Sequence, residues 1–187
     1  MRNLEEQPEN FSGNLLVAKP NLLDPNFHRS VVLLSMHSPQ EGAMGVIINR
    51  PTGKTLGQQN PSFEFSPLSD IPVFHGGPVA TDQLMLAAWR WPSELHSFEM
   101  HFGLTENKME EMLDSVPQLE ARCFAGHSGW TAQQLEEEIQ QHAWGLSSMR
   151  FDLLRKFQGI DLWKRLACLV DPDLRIDVEA PDDPSMN

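Results

Sequence analysis

Two apolar stretches separated by a short turn constrain the fold of this chain more than any other feature. The stretches are Val31–Met36 and Ala43–Ile48, and the turn between them, Ser38–Gly42, contains a proline and a glycine. A connection this short predicts a β-hairpin with antiparallel pairing, because parallel strands need a much longer crossover. Both strands are apolar at nearly every position, so we expect the rest of the protein to cover both of their faces.

The register of this hairpin predicts which polar residues lie together. With the turn centred on residue 40, position 37 lies opposite position 43, and position 30 lies opposite position 50. Arg29, Asn49 and Arg50 then share one end with Asp24, whereas His37 lies beside the turn. The separation of the two ends is ~23 Å at the rise of a β-strand. We therefore expect His37 and Arg50 not to share a site.

Shorter patterns predict the remaining strands and helices. Strands are predicted at Asn14–Ala18, Ile71–His75, Leu84–Trp91, Ser97–Phe102 and Leu119–Ala125. Helices are predicted near Thr55–Gln59, from a Thr105 cap to Ser115, from a Thr131–Gln134 capping box to about His142, and over Asp161–Val170 with Asp161 as the cap. Residues 146–151 fit either a strand or a helix. Strands in hairpin order, with most of the helices late in the chain, indicate an α+β fold with a mainly antiparallel sheet.

Two of these helices carry a further prediction about their faces. Met109, Met112 and Leu113 form the apolar face of the helix that follows Thr105. In the helix that follows Thr131, Leu135 and Ile139 point inward. Its three consecutive acids, residues 136–138, are expected to be mostly solvated.

Length and cysteine content bound the domain organisation and the compartment. At 187 residues the chain fits a single domain, which we place at residues 13–170, between a flexible segment at 1–12 and an acidic tail at 171–187. No leader and no membrane span is visible. The two cysteines, Cys123 and Cys168, are too few for a disulfide framework, so we expect buried, inert thiols and a cytoplasmic protein.

Charge and composition make several partners and cofactors unexpected. The net charge of −12 opposes binding to phosphate backbones, so a nucleic-acid partner is not expected. Five bases nevertheless cluster into either a basic face or a solvated helix surface: Arg150, Arg155, Lys156, Lys164 and Arg165. The spacing of His96 and His101 does not fit a zinc site, and no cofactor fingerprint is present. With no tyrosine in the chain, phenolic acid–base chemistry is excluded.

The Arg29 end of the hairpin admits two interpretations. In the first, Asp24 balances two guanidinium groups, and Asn49 and Arg50 close the strand by bonding nearby backbone. In the second, Arg29, Asn49 and Arg50 form an anion site together with Asp24, because the donors of arginine match a carboxylate or a phosphate.

Two glycine-rich runs admit a catalytic interpretation or a structural one. His75–Gly76–Gly77–Pro78 partly resembles the oxyanion-hole run of esterases, and Gly126–Trp130 stands between a strand and a helix, as a nucleophile elbow does. Trp130 occupies the position where an elbow needs a second glycine, and Pro78 lacks a backbone donor. The structural interpretation is a pair of tight turns. A third interpretation is an anion held on free backbone donors between Gly126 and Gln134.

Four separated motifs occur in order along roughly residues 12–170: GNLLVAKPNLLDPNFHRSVVLLSMH, GAMGVIINRP, HGGPVATDQL and FAGHSGWTAQQLEEEIQQHAW. Together they resemble the YqgE/AlgH family of bacterial proteins. The resemblance implies a compact α+β fold in which a bifurcated sheet or a small closed β-barrel is surrounded by helices. The family's signature positions, which have no assigned catalytic roles, fall here on Asp24, Arg29, His37, Asn49, Arg50, Gly76, Gly77, Gly126, Gly129, Trp130, Gln134 and Glu137.

Three classes of function remain open at this point. The first is a non-enzymatic cytoplasmic binding or regulatory protein with a protein or small-molecule partner, because no complete catalytic constellation is visible. The second is direct binding to DNA: members of the family are often described as transcriptional regulators, and only the basic cluster favours that contact. The third is a serine hydrolase that uses Ser128 with His75 or His127.

Overall fold

Over residues 10–91, 98–174 and 178, which the computed structural model describes, the chain forms nine strands and five α-helices. The strands are β1 (Leu15–Ala18), β2 (Val31–Ser38), β3 (Gly42–Ile47), β4 (Pro51–Thr55), β5 (Pro72–His75), β6 (Val79–Arg90), β7 (Glu99–Leu104), β8 (Glu120–Trp130) and β9 (Trp144–Ser147). The helices are α1 (Leu56–Gln59), α2 (Glu106–Ser115), α3 (Gln134–Gln140), α4 (Phe151–Leu154) and α5 (Gly159–Val170). Residues 1–9, His96, Ser97 and most of the acidic tail lie outside the described residues, so the predictions made for them are not addressed.

The predicted hairpin is present, and both of its faces are buried. Strands β2 and β3 pair antiparallel, with His37 opposite Ala43 beside the turn. Their side chains alternate between two cores. One core contains Val31, Leu33, Val46 and Ile48, and it includes the buried side of α5. The other contains Val32, Leu34, Ala43 and Ile47, and it includes Leu135 of α3. The sequence prediction of a doubly covered centre is confirmed.

A β-bulge at Ser35 shifts the hairpin register by one residue. Leu34 pairs with Gly45 whereas Met36 pairs with Met44, so Ser35 has no partner across the ladder. Its hydroxyl instead donates to the carbonyl of Met44 at 3.0 Å. The predicted pairing of 37 with 43 is therefore confirmed, but the predicted pairing of 30 with 50 is wrong, because a bulge cannot be identified from an apolar pattern alone.

The sheet branches at β8. Along residues 123–125, β8 pairs in parallel with β5 and antiparallel with β6, and along residues 128–130 it pairs with β3. The strand order is β4-β5-β8-β3-β2-β1-β9, and the β6–β7 pair extends from β8. The result is a mixed, mainly antiparallel sheet that curls into a half-barrel with helices around it. The predicted α+β class and bifurcated sheet are confirmed.

Strand β8 is longer than the sequence predicted, because it continues through Gly126–Trp130. The predicted loop at these residues is wrong. Gly126 has a φ of 74° and allows the strand to bend as its neighbours change from β5 and β6 to β3. A Cβ atom at Gly126 would lie 2.6 Å from the carbonyl oxygen of Gly77, so only glycine fits.

The helix boundaries differ from the predictions in specific places. Helix α3 begins at Gln134 and not at Thr131, because Gln133 adopts a left-handed conformation with a φ of 66°. Thr105 caps α2 as predicted, and its side chain accepts a hydrogen bond from the amide of Lys108. Leu113 of α2 was predicted to lie on the apolar face but is 37% exposed. In α5, Asp161 lies in the first turn and Gln158 is the N-cap, so the predicted cap is wrong.

Candidate functional site

The side chain of Asn49 forms hydrogen bonds that join three segments of the protein. Its side-chain oxygen accepts a hydrogen bond from the amide of Val31 at 2.8 Å. Its side-chain nitrogen donates to the carbonyls of Arg29 at 3.0 Å and Gly159 at 3.1 Å. Asn49 is 4% exposed. The residue thus joins the start of β2, the end of β3 and the start of α5, and this pattern is typical of a structural role.

Arg50 and its neighbours occupy the same corner. Arg50 donates from Nη1 to the carbonyl of Asn26 at 2.7 Å and from Nη2 to the carbonyl of His28 at 2.9 Å. Burial lowers the pKa of Arg50, and the nearby Asp24 partly opposes that shift. The guanidinium carbon of Arg29 lies 5.3 Å from the centre of the Trp163 ring. The fold brings the four candidate anion-binding residues to one end, where Asn49 and Arg50 already bond backbone groups.

His37 lies at the opposite end of the hairpin, as predicted, and has its own partners. Its Nδ1 accepts a hydrogen bond from the amide of Phe11 at 3.2 Å, so the proton is on Nε2, which lies 2.9 Å from Glu136 Oε1. The amide of His37 donates to the hydroxyl of Ser12. These bonds link Phe11 and Ser12 to α3, and within the described residues no hydrogen bond or ion pair joins His37 to Arg50.

Trp130 and Gln134, two candidates for an anion site, contribute instead to a cluster around Glu138. Oε2 of Glu138 accepts hydrogen bonds from the indole nitrogens of Trp130 at 3.0 Å and Trp144 at 2.7 Å, and Oε1 accepts from Gln134 at 2.9 Å. The prediction that residues 136–138 are mostly solvated is wrong for Glu136 and Glu138, because α3 turns these carboxylates toward His37 and the tryptophans. Glu137 is exposed as predicted.

The two glycine-rich runs meet where the sheet branches. Gly76 donates its amide to Ala125, and its carbonyl accepts from the amide of Ile47 at 2.8 Å and from the hydroxyl of Ser128 at 3.2 Å. A Cβ atom at Gly76 would lie 2.1 Å from the carbonyl oxygen of Gly126. Gly129 has open space beside it. Gly76, Gly77 and Gly126 therefore allow the close crossing of three strands.

The nucleophile-elbow interpretation is wrong because Ser128 lies within β8 and is fully buried. Neighbouring residues of a strand point to opposite faces, so His127 points away from the Ser128 hydroxyl. His75 is exposed on β5. An elbow instead presents its serine on a sharp, accessible turn next to a base.

A cleft opens between β6, the end of β7 and the start of α2. This β6–α2 cleft has a volume of about 680 Å³. Its floor is apolar and includes Leu56, Leu86 and Cys123. Its rim is polar and includes Gln83, Thr105, Glu106, Asn107 and His127.

Backbone irregularities shape this cleft. Four residues of β6, 80–83, bulge out against the single residue Gly126 of β8. Ala80, Gly103 and Gly126 line the cleft with φ values of 50°, 64° and 74°. Burial raises the pKa of Cys123 to about 11, so its thiol is neutral near pH 7. The sequence did not reveal this cleft, because the strand was predicted to begin only at Leu84 and the bulge depends on long-range pairing.

Another cleft, smaller than the first, contains a buried arginine that the sequence did not indicate. This Arg122 cleft has a volume of about 400 Å³ and lies between β4, β5, the start of β8 and Gln158. The guanidinium carbon of Arg122 lies 4.6 Å from the Phe74 ring centre and 4.8 Å from that of Trp89. Burial lowers the pKa of Arg122 to about 10. The available signal was a charged residue between Ala121 and Cys123, in a strand that is mostly apolar.

Other possible sites are weaker in the described part of the chain. The basic cluster is partly neutralised, since Arg150 pairs with Asp152 at 3.0 Å and Arg155 Nε lies 3.8 Å from Glu120. Within residues 10–91, 98–174 and 178, no three His, Cys, Asp or Glu side chains are grouped as a metal site would require. Over the same residues, no helix is both long enough and apolar enough to cross a membrane.

Comparisons with known proteins agree on a single family. A family model described as AlgH-like matches residues 15–175. A UPF0301 protein of Thioalkalivibrio sulfidiphilus is 34% identical over 177 residues, which cover 89% of this chain and 93% of that protein. A UPF0301 protein of Streptomyces coelicolor is 36% identical over a region that covers 95% of each chain.

Two solved structures resemble this fold. The solution structure of the AlgH protein from Pseudomonas aeruginosa matches with a TM-score of 0.65 and 25% identity, over 98% of this chain and 100% of that one. The crystal structure of a Corynebacterium diphtheriae protein matches with a TM-score of 0.72 and 20% identity, over 95% of this chain and 96% of that one. At that identity the second likeness concerns the fold alone.

Proposed function

The chain belongs to the AlgH-like family, and we propose that it is a non-enzymatic binding protein whose small-molecule ligand occupies the β6–α2 cleft. The supporting observation is the cleft itself, which has a volume of about 680 Å³, an apolar floor and a polar rim. Small-molecule sites are typically concave and of this size, with a few polar groups that orient the ligand.

The chemistry of the cleft favours binding over catalysis. A nucleophile must be activated by a lowered pKa or by a neighbouring base. Burial instead raises the pKa of Cys123 in the cleft floor. The hydroxyl of Ser128 donates to the carbonyl of Gly76 and does not reach a histidine in the described structure.

The lining of the cleft indicates what kind of molecule it accepts. Phe63, Leu84 and Leu104 offer apolar contacts, whereas Gln83 and Asn107 offer amide groups that both donate and accept hydrogen bonds. Glu106 at the rim repels anions. We infer an amphipathic, uncharged ligand with an aromatic or aliphatic body.

We place this activity in the cytoplasm, where the ligand-bound state would regulate a protein partner. Support comes from the two free cysteines, Cys123 and Cys168, which suit a reducing compartment. Direct binding to DNA is not part of the proposal. The net charge of −12 and the acids Glu136, Glu137 and Glu138 of α3 oppose contact with phosphates.

A titration with indole tests the proposal, with amide NMR spectra of the ¹⁵N-labelled protein as the measurement. We expect the amide signals of Gly103 and Gly126 to shift and that of Gly13, which lies outside the cleft, to stay. Leu84→Trp fills the cleft and should weaken indole binding at least tenfold. Leu169→Trp is the matched control, because Leu169 is exposed on α5. Shifts that cluster elsewhere, or unchanged affinity in Leu84→Trp, would contradict the proposal.

A further inference from the structure

We propose that the Arg122 cleft is a second ligand site, which binds the carboxylate or phosphate group of a small organic anion. This site is distinct from the β6–α2 cleft, since the two clefts share no lining residue. Arg122 and Cys123 are neighbours on β8 and line different clefts. Because side chains alternate along a strand, the side chains of Arg122 and Cys123 point to opposite faces of the sheet.

The side chain of Arg122 is largely buried, but its guanidinium nitrogens are not fully enclosed. Among the described residues, the fully buried polar side-chain atoms without a partner are Ser30 Oγ and Trp89 Nε1. Arg122 is only 7% exposed, and Nη1 donates to the carbonyl of Ile48 at 3.2 Å. An arginine carries five N–H donors. In the described part of the chain, Nε and Nη2 have no hydrogen-bond acceptor from the protein. These two nitrogens are the pair that binds a carboxylate or a phosphate in the two-point manner typical of arginine.

The surroundings of Arg122 hold the guanidinium in place but do not neutralise it. The guanidinium carbon lies over the rings of Phe74 and Trp89, and Arg122 lines the cleft. Glu120 on the same strand partly opposes the effect of burial on the pKa of Arg122. Within the described residues it forms no ion pair with Arg122, and its carboxylate lies 3.8 Å from Nε of Arg155. A buried charge without a close counter-ion is costly, and an apolar side chain of similar size would fill the same space without that cost. An anionic ligand would supply the missing counter-ion.

The rest of the cleft describes the ligand further. Lys54 lies on the exposed rim, so Arg122 and Lys54 together outweigh Glu120 and make the cleft locally positive on a protein of net charge −12. Phe74 provides an apolar wall, and Gln158 provides an amide in the lining of the cleft. A volume of about 400 Å³ suits a small molecule with an apolar body and one oxyanion group.

Titrations with sodium benzoate and with inorganic phosphate test this site. Each is performed at constant ionic strength set with sodium chloride, and thermal unfolding of the full chain is followed. We expect a saturable rise in Tm with at least one of the two anions and a binding constant at least tenfold weaker in Arg122→Met. Methionine keeps an unbranched apolar stem between the two rings and removes only the donors. Arg90→Met is the matched control, because Arg90 pairs with Glu99 away from the cleft, and its binding should be unchanged.

A second measurement does not depend on any variant. The Nε–H signal of Arg122, assigned in an arginine-labelled sample of the natural sequence, should shift along a saturable curve with the anion that raises Tm. A response to benzoate alone identifies an organic carboxylate site, and a response to phosphate alone identifies a phosphate site. The proposal is overturned if neither anion shifts this signal, or if Arg122→Met binds as tightly as the natural protein.

Discussion

Arg50 and Arg122 both lie partly or wholly inside the protein, yet they use their donors differently. Arg50 makes two short hydrogen bonds, at 2.7 and 2.9 Å, to carbonyls of the loop before β2. Among the described residues, Arg122 makes one hydrogen bond, at 3.2 Å, and its guanidinium carbon lies over two aromatic rings beside a cleft. The first arginine closes a loop, whereas the second presents unused donors to a space that a ligand can enter.

The comparison shows that a polar residue type does not by itself identify a binding site. Asn49 and Arg50 attract attention in the sequence because they lie together at the end of a buried strand, but their bonds hold the fold. The sequence does not indicate Arg122 as a binding residue, although its donors remain available in the structure. The criterion that separates them is whether the fold itself satisfies the hydrogen-bonding groups of a buried side chain.

The largest effect on stability should come from Asn49→Ala. The substitution leaves the amide of Val31 and the carbonyls of Arg29 and Gly159 without their partner. We expect the free energy of unfolding to fall by about 3–5 kcal/mol in urea titrations, because each buried unsatisfied group costs about 1–3 kcal/mol. Gln140→Ala, at an exposed position of α3, is the control and should change stability by less than about 0.5 kcal/mol. A loss below about 1 kcal/mol for Asn49→Ala would show that this end is not a structural junction.

Arg50→Met should have the next largest effect. It removes two charge-assisted hydrogen bonds at a half-buried position, so we expect a loss of about 2 kcal/mol in the same urea titrations. Anion binding measured by the benzoate and phosphate titrations should not change. Unchanged stability together with weaker anion binding would reverse the roles assigned to the two arginines.

Arg122→Met should have the smallest effect on stability, with no loss and a gain of up to about 2 kcal/mol. The reason is that burial lowers the pKa of Arg122 to about 10, so the folded protein carries the charge at a cost at neutral pH. Above about pH 10, Arg122 begins to lose its proton in the folded state while it keeps that proton in the unfolded state. The stability of the natural protein therefore rises with pH in that range and is not changed by this group at lower pH. The difference between the two proteins should therefore be constant between about pH 6 and 9. A loss above about 2 kcal/mol would assign Arg122 to the fold.

Local patterns predicted the centre of the fold well. The two apolar runs and the short turn predicted the β2–β3 hairpin, its coverage on both faces and the separation of His37 from Arg50, because these properties depend on nearby residues. The bulge at Ser35 and the continuation of β8 through Gly126 were missed. Both depend on which strand lies alongside, and the apolar pattern does not encode that neighbour.

The candidate sites were harder to predict than the fold. Gly76, Gly77 and Gly126 were predicted as possible ligand-binding residues, but they let strands cross closely. A Cβ atom at Gly76 or Gly126 would lie only 2.1 Å or 2.6 Å from a neighbouring carbonyl oxygen. Glu138 looked like one acid in a solvated run, although it accepts bonds from two tryptophans. The clefts arise from residues up to about 100 positions apart along the chain, such as Lys54 and Gln158, so no local motif could reveal them.

The most direct test of the account compares the stability gained from the anion in three proteins: the natural sequence, Arg50→Met and Arg122→Met. A ligand at 100 times its Kd stabilises the folded state by about 2.7 kcal/mol. Without the anion, we expect Arg50→Met to be less stable than the natural protein and Arg122→Met to be at least as stable. With the anion, we expect Arg50→Met to gain as much stability as the natural protein and Arg122→Met to gain none. The opposite result, in which the anion no longer stabilises Arg50→Met but still stabilises Arg122→Met, would contradict the roles assigned to the two arginines.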